Sequence, residues 1–217
     1  MAKFQLYYFG CRALADPIRL IFHHTGVEFD DDYVLSSKWT ELKPKTPFGF
    51  LPYLCINESN DYGEATPIAR YLGEKYGLAG ETAEDRLFMD SMVDAVRDVV
   101  MPLVRETYKT RKMSAEERTE YFVKKKSEFV EMFQFIERQL REKQPSGKFL
   151  TSNFKVTWAD FSLYGFWNIL AHFMGEDIFD NTPNIKDHYM AVRTLPSVVS
   201  FIHKTRDLPV YFPNDYF

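Results

Sequence analysis

FQLYYFGCRALADPIRLIFHHTG, residues 4–26, decides how the front of the chain folds. Phe4 to Phe9 is an apolar, aromatic run that breaks at Gly10. Apolar residues then return at Leu14, Ile18, Ile21 and Phe22. The first half reads as a buried strand and the second as an amphipathic helix. Pro17 suits only the first helical turn, and Gly26 is a helix stop. A strand that feeds a helix through a short glycine turn positions side chains at the strand's end. It also points the free N–H groups of the helix at whatever docks there. Tyr8, Cys11 and Arg12 sit at that junction, which marks it as a candidate site.

Working outward, Val27, Phe29, Tyr33 and Leu35 have a strand-like setting. Residues 36–52, SSKWTELKPKTPFGFLP, carry Lys43, Pro44, Lys45, Pro47 and Gly49 and read as a loop. Trp39 inside it has two readings: a ring that pins the loop to the core, or an indole N–H aimed into a site. Tyr53 to Ile56 is a short apolar strand, NESND is a turn, and Tyr62 opens a return strand. Pro52 directly precedes the third strand, and the isomer of its peptide bond is left open. GEATPIARYLGEKYG reads as a helix with Thr66 as N-cap, Pro67 at the first position, and Ile68, Tyr71 and Leu72 on the buried face. The polar connector AGETAED, with Gly80, follows this small α/β unit and is the expected domain boundary.

From Glu84 onward the pattern is helical. Phe88, Met92, Val96, Val99 and Leu103 recur at three or four residues, and so do Phe129, Met132, Phe133, Ile136 and Leu140. Ser114 caps an AEE start, and QPSGK ends that helix. VTWADF pairs Thr157 with Asp160 as a capping box, with Val156 and Phe161 at its staple positions. It opens a buried helix that runs to Phe173. NTPNI and RTLPS open two shorter helices, so the second half is all-α.

Composition sets outer limits. A hydrophobic fraction of 45% over 217 residues suits a packed globular chain. The formal charge of −4 argues against nucleic acid or an anionic membrane as the main partner. The start MAKFQLYYF lacks a signal-peptide core, and no apolar run is long enough to span a bilayer. Two cysteines, Cys11 and Cys55, are too few for a disulfide scaffold, and neither forms a metal-type cluster. A reducing, cytoplasmic setting is the expectation, with no metal.

These motifs, taken in order, resemble the glutathione transferases. That family joins a thioredoxin-like α/β domain to an all-α domain. LYYF, Trp39 with Lys43, PFGFLP, IARYL and VTWADF resemble the Sigma class, and RALADPIR its arthropod members. The resemblance implies a glutathione-binding domain over 1–78 and an all-helical domain over 84–217 that forms a hydrophobic substrate pocket. It makes Tyr8 the catalytic tyrosine, whose hydroxyl favours the thiolate of glutathione. Trp39 and Lys43 would contact the glycyl end of glutathione. The Leu51 backbone, beside a cis Pro52, would pair with the cysteinyl part as an added strand does. Glu64 and Ala65 would face the γ-glutamyl group, and Asp98 would reach it from the partner of a homodimer. Phe9, Cys11, Leu14, Met101, Arg105, Tyr108 and Trp167 would form the pocket for a small apolar electrophile. Detoxifying conjugation is the implied role, with glutathione-dependent isomerase or peroxidase activity also within the resemblance.

Two departures stand out. Some family members carry arginine where this chain has Leu14, and the arthropod type carries leucine. The Sigma pattern places Gln-Ser where this chain has Glu64-Ala65, so the serine hydroxyl for the γ-glutamyl carboxylate is absent. One lost hydrogen bond to a charged group costs on the order of 1.5–3 kcal/mol, roughly 10- to 100-fold in affinity. Glu64 could still hold the γ-glutamyl ammonium, as in related classes. The alternatives are a thiol transferase using Cys11, and a non-catalytic ligand carrier or crystallin-like relative. Phe48 either packs into a neighbouring subunit or borders a mostly polar interface.

Overall fold

In the computed structural model, β1 (Phe4–Phe9) lies inside a four-stranded mixed sheet of order β2-β1-β3-β4. The structure describes residues 2–110, 112–143, 148–151 and 155–211, with the backbone alone at 107, 108, 115, 127 and 128. β1 pairs in parallel with β2 (Asp30–Val34), which sets Tyr8 opposite Tyr33. It pairs antiparallel with β3 (Tyr53–Ile56), and β4 (Asn60–Gly63) closes the edge. The apolar run of β1 follows from this central place. Phe4, Leu6 and Tyr8 are buried on the helix-covered side, while Tyr7 stacks on Tyr53 at 4.5 Å across the other face. β2 is a strand despite three consecutive aspartates, because pairing with β1 overrides its poor intrinsic propensity.

A 3-10 turn at Ala13–Ala15 leads into α1 (Asp16–Thr25), with Pro17 in the first turn and Gly26 ending it at φ 68°. Residues 36–52 are not wholly loop. α2 (Ser36–Leu42) and a 3-10 turn at Lys43–Lys45 occupy their first part. α2 buries none of its residues, so no apolar stripe announced it, and Pro44 limits it to two turns. α3 (Ala65–Lys75) starts two residues earlier than expected, at Ala65 and not at Pro67. Glu64, not Thr66, is its N-cap, at φ 72° and with no side-chain capping bond. Pro67 is tolerated at the third helical position because that N–H has no intrahelical partner.

The helical half begins with α4 (Ala83–Thr110), where the Thr82 hydroxyl accepts from the Asp85 N–H and the Asp85 carboxylate accepts from the Thr82 N–H. Pro102 lies inside it without ending it. α5 (Ala115–Lys143) has the expected Ser114 cap, reciprocated by Glu117. Phe129, Phe133, Ile136 and Leu140 are buried along it, whereas Met132 is 42% exposed and does not belong to the buried stripe. QPSG lies outside the described residues.

α6 (Trp158–Met174) is the centre of this half and is buried nearly all round. Its capping box is complete, and Val156 and Phe161 are both buried beside it. Asp160 also accepts from the Leu150 N–H at 2.8 Å and bonds His188 Nε2 at 3.0 Å. α7 (Pro183–Arg193) and α8 (Pro196–Lys204) complete the fold. The two halves meet through small residues. A Cβ at Gly73 of α3 would stand 2.5 Å from the Trp158 ring, and one at Gly165 of α6 would stand 3.0 Å from the Pro17 ring. Among the described residues, no helix is long and apolar enough to cross a membrane.

Candidate functional site

The end of β1 sits on a buried ladder of charge. Tyr8 is 2% exposed, and the Arg19 guanidinium lies 5.8 Å from its ring centroid. Arg19, itself buried, donates through Nε to Asp31 at 2.8 Å and through Nη1 to the Cys11 carbonyl at 2.7 Å. Arg12 donates to buried Asp16 at 2.9 Å, and Asp16 stands 3.8 Å from Arg19. Burial pushes the Asp16 carboxyl above its usual value, while the two guanidiniums pull the other way. Helix α1 supplies the two middle members of this ladder, Asp16 and Arg19, so its placement and the placement of the Tyr8 ring are coupled. A dry surrounding strengthens any hydrogen bond the phenol makes.

Cys11 is fully buried and shares a hydrogen bond with Tyr8. Burial raises its thiol well above the ordinary range. A thiol held protonated and out of solvent is a poor nucleophile. The thiol-transferase alternative and the pocket-wall placement of Cys11 both give way to a core position.

Trp39 and Lys43 converge. They line one cavity of about 570 Å³ with Thr40, Pro44, Thr46 and Gly49. Phe9, at the end of β1, meets the Trp39 ring edge-to-face at 5.5 Å. The ring thus anchors the α2 segment, and Trp39 also borders an opening. The Leu51–Pro52 bond is cis, and Leu51 is half-buried ahead of β3. Tyr8 is not among the residues lining this cavity.

Glu64 and Ala65 form the β4–α3 corner. Glu64 borders a second, largely apolar cavity of about 610 Å³ with Phe48, Tyr62, Pro67 and Tyr71 among its walls. The Glu64 carboxylate stands 3.7 Å from Arg97 of α4. Asp98, next along α4, is exposed. Sequence reasoning passed over Arg97. Its signal in the sequence was slight: between Leu87 and Val104 it is the sole cation, set among Asp90, Asp94 and Asp98.

The expected substrate pocket divides. Met101 is half-buried and Arg105 exposed, one turn apart on α4; Leu14 is half-buried against the core. Tyr108 falls on α4, but its side chain lies outside the described residues. Trp167 is a core residue and not a pocket wall: it is fully buried, with its ring 5.9 Å from Phe133 and 6.0 Å from Phe179. Its place in α6 explains this, because that helix is packed on every side. Among the described residues, no three His, Cys, Asp or Glu side chains are placed to hold a metal ion.

A family model described as "Glutathione S-transferase, C-terminal domain" matches residues 97–205. The chain is 32% identical over 212 residues to glutathione S-transferase 4 of Caenorhabditis elegans, covering 95% of this chain and 99% of that one. It is 27% identical over 207 residues to the hematopoietic prostaglandin D synthase of Gallus gallus, covering 94% and 97%. It also matches the crystal structure of monomeric Na-GST-3, a glutathione S-transferase of the hookworm Necator americanus. The TM-score there is 0.77 at 28% identity, over 93% of this chain and 97% of that one.

Proposed function

Because the chain belongs to the glutathione S-transferase family, we propose that it joins the sulfur of glutathione to small apolar electrophiles, as a Sigma-like cytoplasmic homodimer. Residues 1–78 would bind glutathione, and residues 84–217 would supply the electrophile pocket. The thiol is a weak nucleophile near neutral pH, and a donor aimed at its sulfur favours the thiolate. Tyr8 is that donor: its O–H hydrogen-bonds the sulfur anion, which then attacks the electrophilic carbon and forms the C–S bond as a leaving group departs with its electron pair or, at a conjugated enal, as the π electrons move to the carbonyl oxygen and a proton is taken from water. Trp39 and Lys43 hold the glycyl carboxylate through an indole N–H and an ammonium. The backbone of Leu51, held beside Pro52, pairs with the cysteinyl unit. Glu64 takes the γ-glutamyl ammonium, aided by Asp98 of the partner subunit. Phe9, Leu14, Met101 and Arg105 remain as candidates to meet the electrophile.

The observation that carries this reading is the contact from Phe9 to Trp39. It joins the strand end that holds Tyr8 to the segment that holds Lys43, although 30 residues separate the two aromatics. Titration calorimetry with glutathione tests it. Saturable heat at millimolar glutathione is the expected result. Absence of heat would overturn the transferase reading in favour of a ligand carrier built on the same fold.

A further inference from the structure

Helices α3 and α4 are joined by two ion pairs of different character. Arg70 donates to Asp90 at 2.7 Å, a closed bond about two turns of α4 from the second pair. In that second pair Arg97 stands 3.7 Å from Glu64, in ionic contact but beyond the roughly 2.7–3.2 Å of a hydrogen bond. The first pair already fixes α3 against α4. The second leaves the guanidinium donors of Arg97 and the acceptor oxygens of Glu64 unspent on each other. Both side chains are close to half exposed, at 43% and 47%.

This open pair stands beside Ala65, the position at which a hydroxyl is missing. The γ-glutamyl end of glutathione is an α-amino acid head, with one ammonium and one carboxylate on the same carbon. A carboxylate and a guanidinium a few ångströms apart are complementary to such a head, charge for charge. We propose that Arg97 binds the α-carboxylate of the γ-glutamyl group while Glu64 binds its ammonium, so that an intrachain cation does the work of the absent hydroxyl. The inference rests on the reading of this chain as a glutathione-binding transferase. It makes Arg97 a specificity residue for tripeptides that keep the free α-carboxylate.

The test compares two ligands on the full-length protein by calorimetry: glutathione, and 4-aminobutanoyl-cysteinyl-glycine, which keeps the ammonium and lacks that carboxylate. Arg97→Met should weaken glutathione roughly 10-fold, the low end for a charge-assisted bond at a half-exposed position, and leave the decarboxylated tripeptide unchanged. Arg97→Lys should fall between, because it keeps the charge and loses the fork. Equal weakening of both ligands would mean that Arg97 acts only by holding Glu64, and would overturn the proposal. Unchanged glutathione binding in Arg97→Met would overturn it as well, with the transferase reading intact. A wild-type protein that binds neither ligand would overturn both.

Discussion

The chain builds two strand-to-helix corners in its front half, and they are opposites. At the β1–α1 corner every formal charge is sunk: Asp16 and Arg19 are each 1% exposed, and Arg12 is 7% exposed. At the β4–α3 corner the charges stay in reach of solvent, although both corners turn through a non-glycine residue at positive φ, Ala13 in the first and Glu64 in the second. The first corner spends its charge on holding a phenol in place. The second leaves its charge open to solvent, where the proposed γ-glutamyl contact would use it. On that proposal, one α/β scaffold uses the same local motif once as framework and once as receptor.

The contrast can be broken first at Arg19. Arg19→Met leaves Asp16 and Asp31 without their shared cation in a buried setting, which costs about 3–5 kcal/mol. For a chain of this size that lowers the thermal midpoint by roughly 6–20 °C. A change within a few degrees would show that the ladder is not framework. Tyr8→Phe probes the phenol the ladder holds. It should cut turnover roughly 100-fold while glutathione affinity stays within about threefold, as expected for a donor that acts mainly on the reacting sulfur. Steady-state rates alongside calorimetry separate the two, and unchanged turnover would remove Tyr8 from the chemistry.

At the receptor corner, Ala65→Ser restores the missing hydroxyl and should tighten glutathione by about threefold to tenfold. Equal or weaker binding would place the γ-glutamyl group elsewhere. The smallest expected effect lies at the far end of α1. Burial depresses the pKa of His24, whose Nδ1 lies 2.9 Å from the Ser197 hydroxyl. The unfolded chain therefore takes up a proton first as pH falls. Stability from this residue is full above the ordinary value of 6.5 and declines below it. His24→Gln should reduce the loss of thermal midpoint between neutral and acidic pH by a few degrees at most, about 2–4 °C. His23 and His172, also depressed by burial, sustain the remainder.

The same contrast explains what the sequence disclosed. β1 and β3 were legible to the residue, because a central buried strand is a nearly continuous apolar run between turn residues, interrupted in β1 by Gln5 alone. The start of α6 was legible because a capping box is local chemistry, three residues long. α2 was hidden, since a helix that buries nothing leaves no periodic trace. The start of α3 was misplaced because Thr66-Pro67 imitates a cap, and a positive φ at Glu64 has no residue signature. In the site, the family resemblance paired Trp39 with Lys43, and a spacing of one helical turn lets both line the same cavity. Trp167 and Cys11 were assigned to a pocket wrongly, because apolar character marks burial without telling a wall from a core. Arg97 was missed for the converse reason: its meaning depends on Glu64, 33 residues away, and no local pattern encodes that meeting.

The loop that follows β1 is not finished by its own neighbourhood. The N–H groups of Arg12 and Ala13 donate to the carbonyls of Pro209 and Val210, at 2.9 and 2.8 Å. Tyr211, next in line, is buried against Phe173. The ribosome must therefore deliver the chain as far as Val210 before the turn beside the phenol has its acceptors. Deuterium uptake at those two amides is consequently a gauge, read at the front of the molecule, of whether its back has docked.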